Sequence, residues 1–151
     1  MRRAVRRPAA PGCEEEALFV DLVRSADQLS RAFARLFKAH DLSGTQYTVL
    51  RILRGSPSGL LCGEVAERMI TRDPDITRLL CRLETRGLIS RSRQEKDRRM
   101  VLARITPAGL ALLADLDAPV RELHRRQLGH LSHKQIGELS ALLIAARGEL
   151  S

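Results

Sequence analysis

Four residues, Thr71-Arg72-Asp73-Pro74, constrain the fold of this chain more than any other segment. Before them, Gly63 to Met69 reads as a short helix with Val65, Ala66 and Met69 facing inward. After them, Ile76, Leu79, Leu80 and Leu83 recur at i, i+3, i+4 and i+7, one face of a second short helix. Asp73 reads as its N-cap and Pro74 as its first residue, since proline's fixed φ and missing N–H suit a first turn where that N–H has no partner. The helix is expected to run to about Thr85, with Gly87 as its C-cap. Two short helices joined by a tight break are a helix-turn-helix.

The flanking segments extend this unit. Leu88 to Arg91 and Val101 to Ile105 read as strands, and Ser92 to Arg99 between them is almost wholly polar, so a β-hairpin with a charged tip follows the second short helix. Thr106-Pro107 caps a helix carrying Leu110, Leu112, Leu113 and Leu116, with a kink expected at Pro119 before the pattern resumes toward Leu128. Ser132 and Gln135 form a capping box that opens a last helix with Ile136, Leu139, Leu142, Leu143 and Ala146.

On the N-terminal side, a long helix from about Glu14 to Ala39 opens with three glutamates that complement its dipole. Its apolar stripe, including Leu18, Leu22, Leu29, Phe33 and Leu36, is broad enough to need more than one partner surface. Ser43 and Gln46 box the start of a helix that runs to about Arg54, and Leu60-Leu61 is a candidate very short strand. The expected fold class is mostly α with a small β-hairpin wing. The expected division is a disordered basic arm over 1–13 and one domain over 14–151. Within it, 14–40 and 107–151 are dimerisation helices and 41–106 is a winged helix-turn-helix lobe.

Charge locates the working surface. The formal net charge is +8; residues 1–12 carry +4 and residues 71–104 carry +5, so the remainder is close to neutral. A concentrated basic stretch suits a polyanion, although a solvated basic face would also account for the excess taken alone. Opposite its apolar face, the second short helix offers Asp75, Thr77, Arg78 and Arg82. Arginines one turn apart suit phosphates and the paired acceptors of guanine, and Thr77 suits a base edge or a thymine methyl. The helix alone is also compatible with an ordinary surface helix; the adjacent hairpin, expected to project Arg91, Arg93, Lys96, Arg98 and Arg99, argues for DNA. A helix in the major groove with a basic wing beside it is a coherent docking geometry. Asp97 among these cations either holds an arginine in one orientation or merely relieves repulsion.

Other classes find little support. His40, His124, His130 and His133 are scattered, with no metal-ligand spacing, phosphate loop or nucleophile–base set, so neither an enzyme nor a cofactor is expected. RNA recognition favours aromatics on a sheet, and Phe19, Phe33, Phe37 and Tyr47 all fall in expected helices. Cys13, Cys62 and Cys81 form no CxxC, and an odd count with no readable secretory signal or membrane-length apolar run suits a reducing cytoplasm. Cys13, near four arginines, is a candidate redox sensor, with an inert thiol the simpler reading.

Several segments resemble the multiple-antibiotic-resistance regulator (MarR) family: Leu42 to Leu50, Val65 to Met69, Ile76 to Arg91, Asp97-Arg98-Arg99 and Ile105 to Gly109. The resemblance spans about residues 14–150. It implies a homodimeric transcriptional regulator, expected to act as a repressor on a pseudo-palindromic double-stranded DNA operator. It also implies that Arg99 probes the minor groove steadied by Asp97, and that a small aromatic or anionic effector, or cysteine oxidation, relieves binding. Cys62, where Ser or Thr would cap better, and Cys81, where an acid is common, depart from the pattern. The candidate DNA-contacting set is Thr71, Arg72, Asp75, Thr77, Arg78, Arg82, Arg93, Lys96, Asp97, Arg98 and Arg99; Tyr47 and Arg51 are the candidate effector residues. The expected location is cytoplasmic, at the nucleoid when DNA-bound.

Overall fold

Capping fixes where most of the helices start. In the computed structural model, which describes residues 12–70 and 75–148, the order is α1 (Glu14–Lys38), α2 (Gly44–Arg54), β1 (Leu60–Leu61), α3 (Cys62–Arg68), α4 (Ile76–Thr85), β2 (Ile89–Arg93), β3 (Val101–Ile105), α5 (Pro107–Leu128) and α6 (His133–Arg147). The box opening α2 closes in both directions: Gln46 N–H donates to Ser43 Oγ at 3.1 Å, and Ser43 N–H to Gln46 Oε1 at 3.0 Å. Ser132 and Gln135 repeat it at α6, at 3.2 and 2.9 Å. Thr106 caps α5, with Pro107 in its first turn. Helix α5 runs through Pro119 to Leu128 as one helix of 22 residues.

The sheet has three antiparallel strands in the order β1-β3-β2. Leu60 faces Ala103, and the hairpin keeps register from Ile89↔Ile105 to Arg93↔Val101. Strand β2 therefore extends two residues past the expected Arg91. The side chains of Leu50, Leu53, Val65, Leu80, Leu83, Ile89, Leu113 and Leu116 are almost fully buried and join α2, α3, α4, the sheet and α5 in one core. Each buried aliphatic chain of this size contributes roughly 1.5–3 kcal/mol against leaving it in water.

The outer helices contrast with this core. Helix α6 buries no residue, and Ile136, Leu139, Leu142 and Ile144 stay exposed. At the start of α1, Leu18, Phe19 and Val23 are also exposed. Among the described residues of the single chain nothing covers these stripes.

Candidate DNA-binding surface

The start and stop of α4 set its orientation. Asp73 and Pro74, the expected cap, lie outside the described residues, as do Thr71, Arg72 and the basic arm up to residue 11. The described helix begins at Ile76, and Asp75 is its N-cap, its Oδ1 accepting the Arg78 backbone N–H at 3.1 Å. The carboxylate of Asp75 thus works on the helix end. At the other terminus Gly87 adopts φ +69. Gly87 N–H then reaches Glu84 O at 2.8 Å, and Leu88 N–H reaches Leu83 O at 3.0 Å. This Schellman closure satisfies two end carbonyls and sends the chain directly into β2.

Four further bonds fasten that corner. Thr106 Oγ1 donates to Gly87 O at 2.6 Å while accepting Gly109 N–H at 3.2 Å, so the end of α4 and the start of α5 share one hydroxyl. A Cβ on Gly109 would collide with Leu88 O and the Ile105 side chain, so only glycine permits this approach. Arg86 donates to the carbonyls of Asp41 and His40, just past the end of α1. The bond from Thr106 to Gly87 and the two from Arg86 join residues far apart in sequence and were not foreseen from it.

With Leu79, Leu80 and Leu83 buried, Thr77, Arg78, Cys81, Arg82 and Thr85 face solvent. Arg93, Lys96, Asp97, Arg98 and Arg99 are exposed on the last residue of β2 and the loop beyond it. Among the described residues no acidic side chain pairs with Arg78, Arg82, Arg93, Lys96, Arg98 or Arg99. Arg91 is different and corrects the expected projection. Its guanidinium packs down onto Glu84 of α4, Nε and Nη2 donating to Oε2 at 2.9 and 2.7 Å, while its backbone N–H donates to Oε1 at 3.1 Å. The Glu84 hydrogen bond holds the Arg91 pKa above the usual guanidinium value.

Within the wing loop, Asp97 Oδ1 accepts the backbone N–H of Arg99 at 2.9 Å. Met100 N–H donates to Asp97 O at 3.0 Å, and Gln94 N–H to Met100 O at 2.9 Å. Asp97 therefore shapes the backbone that presents Arg99; the observed bond goes to its amide, where sequence reasoning expected its guanidinium.

A separate cleft of about 440 Å³ lies between α1, α2 and α5. Tyr47 and Arg51 both line it, as do Phe33, Thr48 and His124. Tyr47 is buried, its ring stacked on Phe37 with centroids 4.2 Å apart, and the Arg51 guanidinium carbon sits 5.9 Å from the Tyr47 centroid. His124 meets Phe33 at 4.6 Å. The sequence placed neither Phe33 nor His124 at an effector site, because the cleft forms only when α1 and α5 cross. The thiols are dispersed: Cys13 and Cys81 are exposed, and burial pushes the half-buried Cys62 thiol up, away from the reactive thiolate.

A model of the MarR family matches residues 40–100, the segment from the end of α1 to the wing loop. The homoprotocatechuate degradative operon repressor of Escherichia coli is 27% identical over 128 residues, 85% of this chain and 86% of that protein. The crystal structure of a MarR transcription factor from Planctomyces limnophilus is 40% identical, covers 89% of this chain and 98% of its own, and has a TM-score of 0.70. The PcaV transcriptional regulator from Streptomyces coelicolor, solved in complex with its natural ligand, is 26% identical with a TM-score of 0.71, over 83% of this chain and 91% of that one. A helix-turn-helix followed by an arginine-rich hairpin, and 40% identity along nearly the whole of a solved relative, place this chain in the MarR family of transcriptional regulators.

Proposed function

We propose that this regulator is a homodimeric repressor that binds a pseudo-palindromic double-stranded DNA operator and is released by a small aromatic or anionic effector. The observation that carries the reading is the shared exposure of Arg78 and Arg82 on α4 with Arg93, Lys96, Arg98 and Arg99 on the wing, all without acidic partners among the described residues. A cation with no internal partner gives up no ion pair on meeting a phosphate, and it gains from released counterions. Helix α4 fits the major groove and the wing the flanking backbone or minor groove. Thr71, Arg72, Asp75, Thr77 and Asp97 complete the proposed surface, and the protein acts in the cytoplasm at the nucleoid without a cofactor.

Dimerisation follows from the uncovered stripes. Segments 14–40 and 107–151 carry Leu18, Phe19, Ile136, Leu139 and Leu142 into water in the single chain, and a twofold partner would cover them. Such a dimer sets two α4 helices about one DNA turn, roughly 34–36 Å, apart. The effector reading rests on the cleft: an aromatic wall from Phe33 and Tyr47 beside the Arg51 cation suits a planar anion. The Escherichia coli relative is named for repressing a degradative operon, and PcaV was crystallised with a natural ligand, which supports the same pairing of roles here.

The test is a gel-shift titration against operator duplexes from the flanking chromosomal DNA and against hairpin RNA, at several salt concentrations. The expected result is retardation of duplex DNA, with affinity falling steeply as salt rises. Equal or tighter binding of the RNA would overturn the reading.

A further inference from the structure

We infer that Glu84 and Arg91 are positioning residues that lock the wing to helix α4, so that the two DNA-reading elements approach the duplex as one rigid body; this rests on the DNA-binding reading above. Strand β1 holds β3 at Leu102 and Ala103, so β2 is the outer strand of the hairpin, and the wing loop projects beyond both strands. Any shift of β2 against α4 carries Arg93 and the loop with it. Strand β2 leaves α4 through a short turn, Arg86 to Leu88, built around a glycine with φ +69.

The Schellman bonds fix the backbone of that turn but reach no residue of β2 beyond it. Glu84 and Arg91 act away from it. Glu84 stands in the last turn of α4, and Arg91 is the central residue of β2. Three hydrogen bonds at 2.7, 2.9 and 3.1 Å join them, one of them to the strand's own backbone. Arg91 is more enclosed than its partner, with the side chains 21% and 37% exposed. A fork held at two nitrogens fixes direction as well as distance. Arg91 therefore differs from Arg93, two residues further along the same strand, which is exposed and has no acidic partner among the described residues.

The sign of the effect separates this role from a phosphate contact. Glu84→Gln removes a negative charge beside the DNA-facing surface, so electrostatics alone predicts tighter binding. Loss of positioning predicts weaker binding, by about tenfold for a fork of charged hydrogen bonds. Arg91→Met removes the cation but keeps the apolar stem. A phosphate-contacting arginine would lower the salt slope of binding by about one on removal, whereas a positioning arginine leaves it unchanged.

The experiment measures duplex affinity at four salt concentrations for wild type, Glu84→Gln, Arg91→Met, the double variant and Arg82→Ala. Backbone amide order parameters of residues 95–99 are measured by NMR on the free proteins. The expected result is weaker binding by both single variants with unchanged salt slope, a double variant no worse than either single, and lower order parameters in the wing loop. Tighter binding by Glu84→Gln, a slope reduced by one in Arg91→Met, or wing order parameters equal to wild type would each overturn the inference. If Arg91→Met lowers the unfolding temperature, Glu84→Gln still decides by its sign. Failure of wild type to bind any duplex would instead overturn the DNA reading, and the order parameters would still test the lock.

Discussion

Arg54 Nη1 sits 3.0 and 2.9 Å from the two carboxylate oxygens of Asp117, and this pair ties α2 to α5. The Arg54 hydrogen bond holds the Asp117 carboxyl below its usual range, with Arg121 and Arg51 adding positive charge nearby. The same bond raises the Arg54 pKa. Helix α2 also supplies Tyr47 and Arg51 to the cleft, so this contact holds the helix that forms one of the cleft's walls.

Asp117→Asn is expected to lower stability by about 0.5–1 kcal/mol at pH 7, discounted because both side chains are 34–40% exposed. A carboxyl whose folded pKa is depressed contributes its stability fully above the unfolded value, about 3.9, and loses it as pH falls through the lower folded value. The gap between wild type and variant should therefore be constant from pH 7 to about 5 and close below about 4. Urea unfolding at pH 7 and pH 3 checks this; an equal gap at both would show that the charge is not the cause.

Arg78→Ala and Arg82→Ala are each expected to weaken operator binding. A base-contacting arginine costs about 1–3 kcal/mol and relaxes specificity at its position; a phosphate contact weakens all sequences alike. Titrating both variants against the operator and a scrambled duplex distinguishes the two roles. Unchanged affinity of both on every duplex would remove α4 from the interface.

What the sequence made legible was local. The boxes at Ser43/Gln46 and Ser132/Gln135 span three residues, so side chain and backbone partner are fixed by the same turn. The buried face of α4 followed from spacing alone, and the Tyr47–Arg51 neighbourhood from one helical turn. The start of α4 was harder, because Asp73 and Asp75 both suit an N-cap and Asp75 fills that place in the fold. Arg91 was misassigned for a different reason. Its distance from Glu84 is set by how β2 folds back beside α4, and no periodicity encodes that return. Arg86 reaches a carbonyl 45 residues away, and such contacts exist only once the core has formed.

Leu142→Glu is expected to convert a dimer to a monomer and to weaken operator binding with it. Leu142 is 68% exposed on α6, which buries none of its residues within the chain. In a monomeric protein this change would be neutral or favourable, since it replaces an exposed apolar chain with a solvated one. At a twofold interface it places two carboxylates in apolar surroundings without partners, a cost of several kcal/mol. Sedimentation at micromolar concentration checks the mass. A monomeric wild type would defeat the dimer reading outright.

The wing offers the sharpest separation of charge from geometry. Asp97 accepts the Arg99 backbone N–H, while its own carbonyl accepts Met100 N–H, so one residue holds two successive amides of the loop. Asp97→Ala removes the first bond, worth about 0.5–1.5 kcal/mol, and leaves the Arg99 backbone less ordered. It also removes a negative charge close to phosphate, which favours binding. If the backbone bond dominates, Asp97→Ala should weaken binding by roughly twofold to tenfold despite the favourable charge change. Asp97→Asn then becomes informative, because its carbonyl oxygen can still accept the amide while the charge is gone. It should bind as well as wild type or slightly tighter. Were Asp97 to act by an ion pair with the Arg99 guanidinium, Asn would fail much as Ala does. Titrating wild type, Asp97→Ala, Asp97→Asn and Arg99→Ala against one operator separates these cases, and equal weakening by Ala and Asn would show that Asp97 works through its charge rather than through the turn.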